Sequence, residues 1–329
     1  MKRGLVIGKF DPPHRGHTLL IETALAQVDV LDIVVCARNE NLIPGDLRAA
    51  WLREMHPGTN VVAVQDFGED DNSARWAEYT KQTLGRSPDV VFTSEDYGEA
   101  FAKHLGASHV MVDRGRTQVP VSSTQVRLDP LGHWEDLSPV VRAHFCKRVC
   151  LVGAESSGTT TLARQLAQHF NTIWVPEYGR DYTEVRKIDG RRIRWRSEEF
   201  VHIAEVQQSN EDAMARFADR VIFCDTDALA TAIWHERYMG YWSVDVEKIA
   251  ERKKYDMYFL TKPDIPFVQD RIRDSELLRE WMTDRFRVEL TRRGHPWLLL
   301  DGALDQRLQT AISMVEELLS RPANLSARP

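Results

Sequence analysis

Residues Gly8 to His17 read GKFDPPHRGH, and their spacing suits phosphate chemistry. A strand ends near Ile7, a Gly–Pro turn follows, and a helix opens near His14. His14 and His17 are three residues apart, so they project from neighbouring positions on one helix face. The free N–H groups and the macrodipole at a helix N-terminus favour an anion, and two imidazoles there can donate hydrogen bonds to a polyphosphate. Gly8 and Gly16 allow a ligand close to the backbone. A second stretch, VPVSSTQVR at residues 119 to 127, puts a serine–threonine turn at a helix start. Its hydroxyl and N–H donors are joined by the planar fork of Arg127, which matches triphosphate oxygens. A third stretch, GAESSGTTT at residues 153 to 161, is almost a phosphate-binding loop, with Thr159 where that loop has its lysine.

These stretches need a frame to hold them. GLVIGKF, VDVLDIVVCA, NVVAVQ, DVVFTS and HVMVD read as strands, and HTLLIETALAQV, DLRAAWLREMH, ARWAEYTKQTLG and GEAFAKHLG as the helices between them. Such alternation implies βαβ units and a parallel sheet. Periodicity weakens across LDPLGHWEDLSPVVRAHF, where Pro130, Gly132 and Pro139 punctuate the chain, and restarts at KRVCLVGAE. The expected domains are therefore 1–145 and 146–329. In the second, TIWVPE, RVIFCDT, DMYFLT and WLLLDG read as strands, while TTTLARQLAQHF, SEEFVHIAEVQQSNEDAMARF and DQRLQTAISMVEELLS carry helical spacing. The fold class expected is α/β, with two parallel-sheet domains in series.

Composition narrows the function classes. At 329 residues, with 43% hydrophobic and 28% charged residues, the chain has the balance of a soluble globular protein. No apolar run approaches a membrane span, and MKRGLVIGKFDPPHRGH makes a better first strand than a signal peptide. Cys36, Cys146, Cys150 and Cys224 form no CxxC pair, as expected of reduced thiols in a cytoplasmic chain. The formal net charge of −6 argues against a nucleic-acid binder. The basic run VRKIDGRRIRWR, residues 185 to 196, is read as a solvated loop or one that meets anionic nucleotides.

GKFDPPHRGH matches the GxFxPxHxGH signature of the HIGH-type nucleotidyltransferases, which are Rossmann-like. SSTQVR resembles the ISSTxxR motif of the nicotinamide and nicotinate mononucleotide adenylyltransferases. Between them, VFTSEDYGEAFAKHLGASHVMVDRGR resembles the adenylyltransferase domain of NadR-type proteins. The resemblance implies that His14, His17, Lys9 and Arg127 hold the ATP phosphates, assisted by Ser123 and Thr124, within a cofactor stretch that includes Gly8 and Phe10. Asp113 and Arg116 fall where the family contacts nucleotide or substrate. Arg48 and Trp51, on DLRAAWLREMH, are placed facing the mononucleotide, with a core position the alternative for Trp51 and the expectation for Trp76.

The second half resembles the ribosylnicotinamide kinase domain of NadR-type proteins through GAESSGTTTLARQLA, VPEYGRDY, VIFCDTDALAT and YDMYFLTKPDIPFVQDRIRD. In such kinases the loop backbone cradles the β-phosphate, and the hydroxyl at Thr160 binds Mg²⁺. Gly153, Ser156, Ser157, Gly158 and Thr160 keep the pattern; Thr159 removes one point charge. Arg271 and Arg273, in DRIRD, sit where small-molecule kinases carry a lid and are expected to supply it. Asp225 is the candidate metal or base carboxylate, with Asp227 either a second one or a helix cap. Glu177, Tyr178, Arg180 and Asp181 are expected at the riboside pocket, Glu177 as a carboxylate for a ribose hydroxyl. Gly302 and Arg307 are placed at an adenine-contacting loop.

The resemblance implies a salvage enzyme that uses ATP and Mg²⁺, carrying nicotinamide riboside to nicotinamide mononucleotide and then to NAD. Two alternatives stay open: an adenylyltransferase whose second domain only senses nucleotide, and a non-enzymatic NAD- or ATP-responsive regulator. Some NadR-type proteins carry an N-terminal helix-turn-helix and repress transcription. This chain starts at the first strand, so neither that module nor DNA binding is expected, while homo-oligomerisation is left open.

Overall fold

The computed structural model describes residues 1–69, 71–187, 194–267 and 278–321. They divide into two compact units, Met1–His144 and Phe145–Arg321. In the first, β1 (Arg3–Gly8), α1 (Arg15–Leu25), β2 (Val30–Ala37), α2 (Gly45–Met55) and β3 (Asn60–Gln65) follow one another. Next come α3 (Ser73–Leu84), β4 (Val90–Thr93), α4 (Gly98–Leu105), β5 (Ser108–Met111), α5 (Ser123–Leu128) and α6 (Pro139–Phe145). The strands pair in parallel in the order β3-β2-β1-β4-β5.

Both faces of this sheet are covered, as a parallel sheet requires. Val6, Ile33, Val35 and Phe92 pack under α1 and α2, while Leu5, Val34 and Val91 pack under α3 and α4. That is why GLVIG and VLDIVVCA read as near-continuous apolar runs. The stretch in which periodicity fades is packed nonetheless: Trp134, Leu137 and Val141 are buried, and a short 3-10 turn spans Trp134–Asp136.

The second unit begins with β6 (Lys147–Gly153), α7 (Thr159–His169), β7 (Trp174–Val175), α8 (Tyr178–Lys187) and α9 (Ser197–Met214). It continues through β8 (Val221–Asp225), α10 (Ala228–Met239), α11 (Val244–Ala250) and β9 (Met257–Thr261). It closes with α12 (Arg279–Arg292), β10 (Trp297–Leu300) and α13 (Leu304–Ser320). Its sheet is parallel in the order β10-β9-β6-β8-β7. The register sets Leu151 of β6 against Asp225 of β8, so the chain leaving β6 turns into its loop directly beside that carboxylate. Among the described residues no helix is long and apolar enough to cross a membrane.

Candidate functional site

In the first unit a cavity of about 710 Å³ opens beyond the carboxyl ends of β1 and β4. The strand order reverses between these two strands, the usual place for a ligand crevice in an open α/β sheet. Gly8, Lys9, Phe10, His14 and His17 line it from one side. Ser123, Thr124 and Arg127 line it from α5, and Asp113 and Arg116 from the segment after β5.

The two histidines cap their own helix. His14 is the N-cap of α1, and its Nδ1 accepts the Gly16 N–H at 3.1 Å; the Nδ1 of His17 accepts the His14 N–H at 3.2 Å. The ring centroids are 3.9 Å apart. Because each Nδ1 is an acceptor, each neutral ring carries its proton on Nε2. Burial, helped by Arg116, lowers His14 to about 4. Burial, then His14 and Arg116, hold His17 well below its ordinary value. Both rings are therefore neutral hydrogen-bond donors at pH 7.

The SSTQVR stretch is tied to the same loop. Ser122 and Gln125 form a reciprocal capping box that starts α5. The Ser123 hydroxyl donates to the Pro12 carbonyl at 3.1 Å, and Arg127 donates to the Asp11 carbonyl and, at 3.2 Å, to Thr124 Oγ1. Two segments more than a hundred residues apart thus become one wall. Asp113 adopts a φ of 46°, with its Oδ1 accepting the Thr117 N–H at 2.8 Å, and Arg116 donates to Glu95 at 3.0 Å.

Two expectations for this unit need correction. Arg48 does not face the cavity: it is fully buried and donates to the carbonyls of Ile43, Cys36 and Lys9 and to Asn41 Oδ1. Its helix aims it at three returning chain segments whose carbonyls need a donor, so it braces the loop from below. Trp51 is core, with His144 edge-on at 5.3 Å. Trp76 is core as expected, and its ring, stacked on Phe67 at 4.2 Å, also lines the cavity. Asp11, Asn41, Asp66 and Tyr97 also line it. Burial raises the Asp11 carboxyl, opposed by Arg48 and Arg127.

In the second unit Gly153, Ser156, Thr159, Thr160, Glu177, Arg180 and Asp225 surround a cavity of about 120 Å³. Ser156 and Gly158 take left-handed φ values of 56° and 94°, which curl the loop. A Cβ on Gly153 would meet Thr261 Oγ1 at 2.2 Å and Ser157 Oγ at 2.4 Å, so only glycine fits. The Ser157 hydroxyl serves the loop itself, donating to the Ala154 carbonyl at 2.7 Å, 2.6 Å from Thr261 Oγ1. Burial raises the Asp225 carboxyl, opposed by hydrogen bonds from Thr160 and Thr159 and by Arg180. Thr159 thus turns its hydroxyl to Asp225, alongside Thr160.

Other expected residues fall outside this cavity. The Tyr178 hydroxyl lies 3.2 Å from His202 Nε2, and Asp181 is exposed on α8. Arg307 does not form an open adenine contact, while Gly302 is exposed. Arg307 is buried, donating to the carbonyls of Ser157 at 2.8 Å and Gly302 at 2.9 Å and pairing with Asp264, so it clamps the back of the loop. Asp227 caps α10, accepting from the Ala230 N–H and the Tyr258 hydroxyl. Arg271 and Arg273 lie outside the described residues. Missed by the sequence reading were Trp195, Phe200, Trp234 and Tyr238, an aromatic wall, together with Glu155, whose carboxylate pairs with Arg237 at 3.5 Å.

Residues 5–129 match the cytidylyltransferase-like family model, and residues 148–307 match the AAA domain model. The Trifunctional NAD biosynthesis/regulator protein NadR of Escherichia coli (strain K12) is 30% identical over 294 residues, which is 82% of this chain and 71% of that protein. The chain belongs to the NadR family. A crystal structure of NadR protein in complex with NR superposes with a TM-score of 0.80 at 23% identity, covering 99% of both chains, so the NadR fold extends through both units. The first unit is also similar to the nicotinamide-nucleotide adenylyltransferase of Caldivirga maquilingensis, 27% identical over 151 residues, covering 42% of this chain and 84% of that protein.

Proposed function

We propose that residues 1–145 transfer the adenylyl group of ATP to nicotinamide mononucleotide, releasing NAD and pyrophosphate. Residues 146–329 are proposed to phosphorylate nicotinamide riboside with ATP, making the substrate of the first reaction. The observation that carries this reading is the joining of GKFDPPHRGH and SSTQVR into one cavity wall with two neutral imidazoles and Arg127. The names of the curated relatives support it, since they include NAD biosynthesis and nicotinamide-nucleotide adenylyltransferase.

In the first reaction a phosphate oxygen of the mononucleotide attacks the α-phosphorus of ATP, and the bond to the β-phosphate oxygen breaks. No protein group is modified. His14 and His17 donate through Nε2–H to oxygens whose charge grows as pyrophosphate leaves, and Lys9 and Arg127 add positive charge. Gly8 lets the nucleotide lie against the strand end.

In the second unit the hydroxyl of Thr160 and the carboxylate of Asp225 offer the oxygen donors that Mg²⁺ prefers, and a magnesium site with few protein ligands plus phosphates fits them. The ion would neutralise phosphate charge during transfer. Glu177 and Arg180, which line the same cavity, hold the ribose in this reading. Trp195, Trp234 and Tyr238 line the same cavity as an apolar wall for the base, with the guanidiniums of Arg186 and Arg237 already stacked over these rings at 4.0 to 4.9 Å. A second reading, nucleotide sensing without phosphoryl transfer, draws on Thr159 in place of lysine. We further place the chain in the cytoplasm and, from its net charge of −6, without a duplex-DNA partner.

The test is one incubation series: purified protein with ATP-Mg and either the mononucleotide or the riboside, following NAD, pyrophosphate and ADP separately. Pyrophosphate and NAD from the mononucleotide, and ADP from the riboside, are expected. Absence of the first pair overturns the adenylyltransferase reading; absence of ADP alone leaves the sensing reading.

A further inference from the structure

The loop of the second unit has lost its lysine, and the arginines around it differ in whether their charge is already neutralised. Arg180 pairs with Glu184 at 3.3 Å, Arg237 with Glu155 at 3.5 Å, and Arg307 with Asp264. Arg279, the first residue of α12, is 8% exposed and pairs with no carboxylate among the described residues. Its Nη2 donates instead to two carbonyls, Ser156 at 3.2 Å and Ile265 at 3.0 Å, and its guanidinium lies 5.7 Å from the centroid of the Phe267 ring.

We propose that Arg279 is the positioning residue that replaces the loop lysine: its guanidinium, paired with no carboxylate among the described residues and bonded to the carbonyl of Ser156, supplies the positive potential that holds the nucleotide β-phosphate. This rests on reading residues 153–160 as a nucleotide loop. The physical basis is twofold. Left-handed φ values at Ser156 and Gly158 curl the loop's N–H groups towards an anion, and this geometry leaves outward carbonyls that need donors. A buried cation on one of those carbonyls polarises the peptide and is screened far less than a surface charge would be. Arg307 fixes the next carbonyl, that of Ser157, but its charge is spent on Asp264. Thr159 meanwhile satisfies Asp225, so the lysine position is used for a hydrogen bond and not for charge.

The test uses the full chain and ADP-Mg as probe, with hydrogen exchange read on the peptide spanning residues 150–162, so that nucleotide bound by the first unit does not enter the readout. Arg279→Met is expected to raise the ADP concentration for half-protection about tenfold or more, as befits loss of one poorly screened charge. Arg279→Lys is expected to keep most of the affinity. Adding Thr159→Lys to Arg279→Met is expected to restore protection, because the charge returns from the usual loop position; a purely structural arginine would not be rescued this way. Unchanged protection in Arg279→Met, or weakened protection that Thr159→Lys fails to restore, overturns the proposal, as does absence of protection in the parent chain. Protection that follows this pattern without riboside phosphorylation removes the kinase reading and leaves the role of Arg279 standing.

Discussion

Acidification should loosen the first unit through His14. Free in an unfolded chain, this imidazole takes up its proton near pH 6.5, whereas in the fold it does so only near 4. Between those values the unfolded chain binds more protons than the folded one. The stability that the neutral ring confers is therefore complete above about pH 6.5 and is lost as pH falls. At pH 5, about 1.5 units below the free value, the loss through this one residue is about 2 kcal/mol at about 1.4 kcal/mol per unit. His17 acts in the same direction. The assay is urea unfolding of the ligand-free protein at pH 7 and pH 5, read by pulsed hydrogen exchange on peptides of β1 and α1 with the pulse at one fixed pH. His14→Asn keeps an acceptor for the Gly16 N–H, since asparagine is a good N-cap, but removes the titration. The variant should lose about 2 kcal/mol less than the parent between the two pH values. Equal acid sensitivity in both proteins would refute the argument that burial keeps this ring neutral.

Three further outcomes follow from the geometry. His17→Ala should lower adenylyl transfer by about 10²-fold or more, through loss of a donor to developing charge, while riboside-dependent ADP release is unchanged; steady-state rates of the two reactions check it. Arg48→Met strips donors from the carbonyls of Ile43, Cys36 and Lys9 and should cost about 3 kcal/mol, read as a lower urea midpoint for the first unit. Gly153→Ala forces a Cβ against Thr261 and Ser157 and displaces the loop. Riboside phosphorylation should then fall by about 10²-fold, the usual effect of misplacing a bound group by about 1 Å, with NAD formation from supplied mononucleotide preserved.

The central strands were legible because they are short apolar runs rich in β-branched residues and covered on both faces, and the phosphate loops because glycine and hydroxyl residues recur there at fixed spacing. Side-chain destination was less legible. Arg48 looked like a ligand residue because arginine on an amphipathic helix is usually solvated. Nothing local reveals that the carbonyls of residues 9, 36 and 43 converge on it. Trp234 and Tyr238, one turn apart on α10, look like a core stripe. An aromatic ring lining a cavity and one filling a core share the same helical phase, and only the packing opposite tells them apart. Asp225 was the sequence candidate for the site and Asp227 was left between a second carboxylate and a helix cap; the first follows the strand to the loop's threonines and the second turns back to cap a helix.

The bonds from Ser123 to Pro12 and from Arg127 to Asp11 span 111 and 116 residues of chain. These contacts close only after β1 through β5 have assembled, because the sheet must first carry the two segments to the same end. Contacts of such sequence separation form late and slow the search for the native state. A nascent or truncated chain ending before Arg127 would have the strand, the glycine and both histidines yet no closed wall. Whatever binds there binds only the completed wall, so a ligand of this crevice stabilises the contact between the two distant segments as well as the unit as a whole.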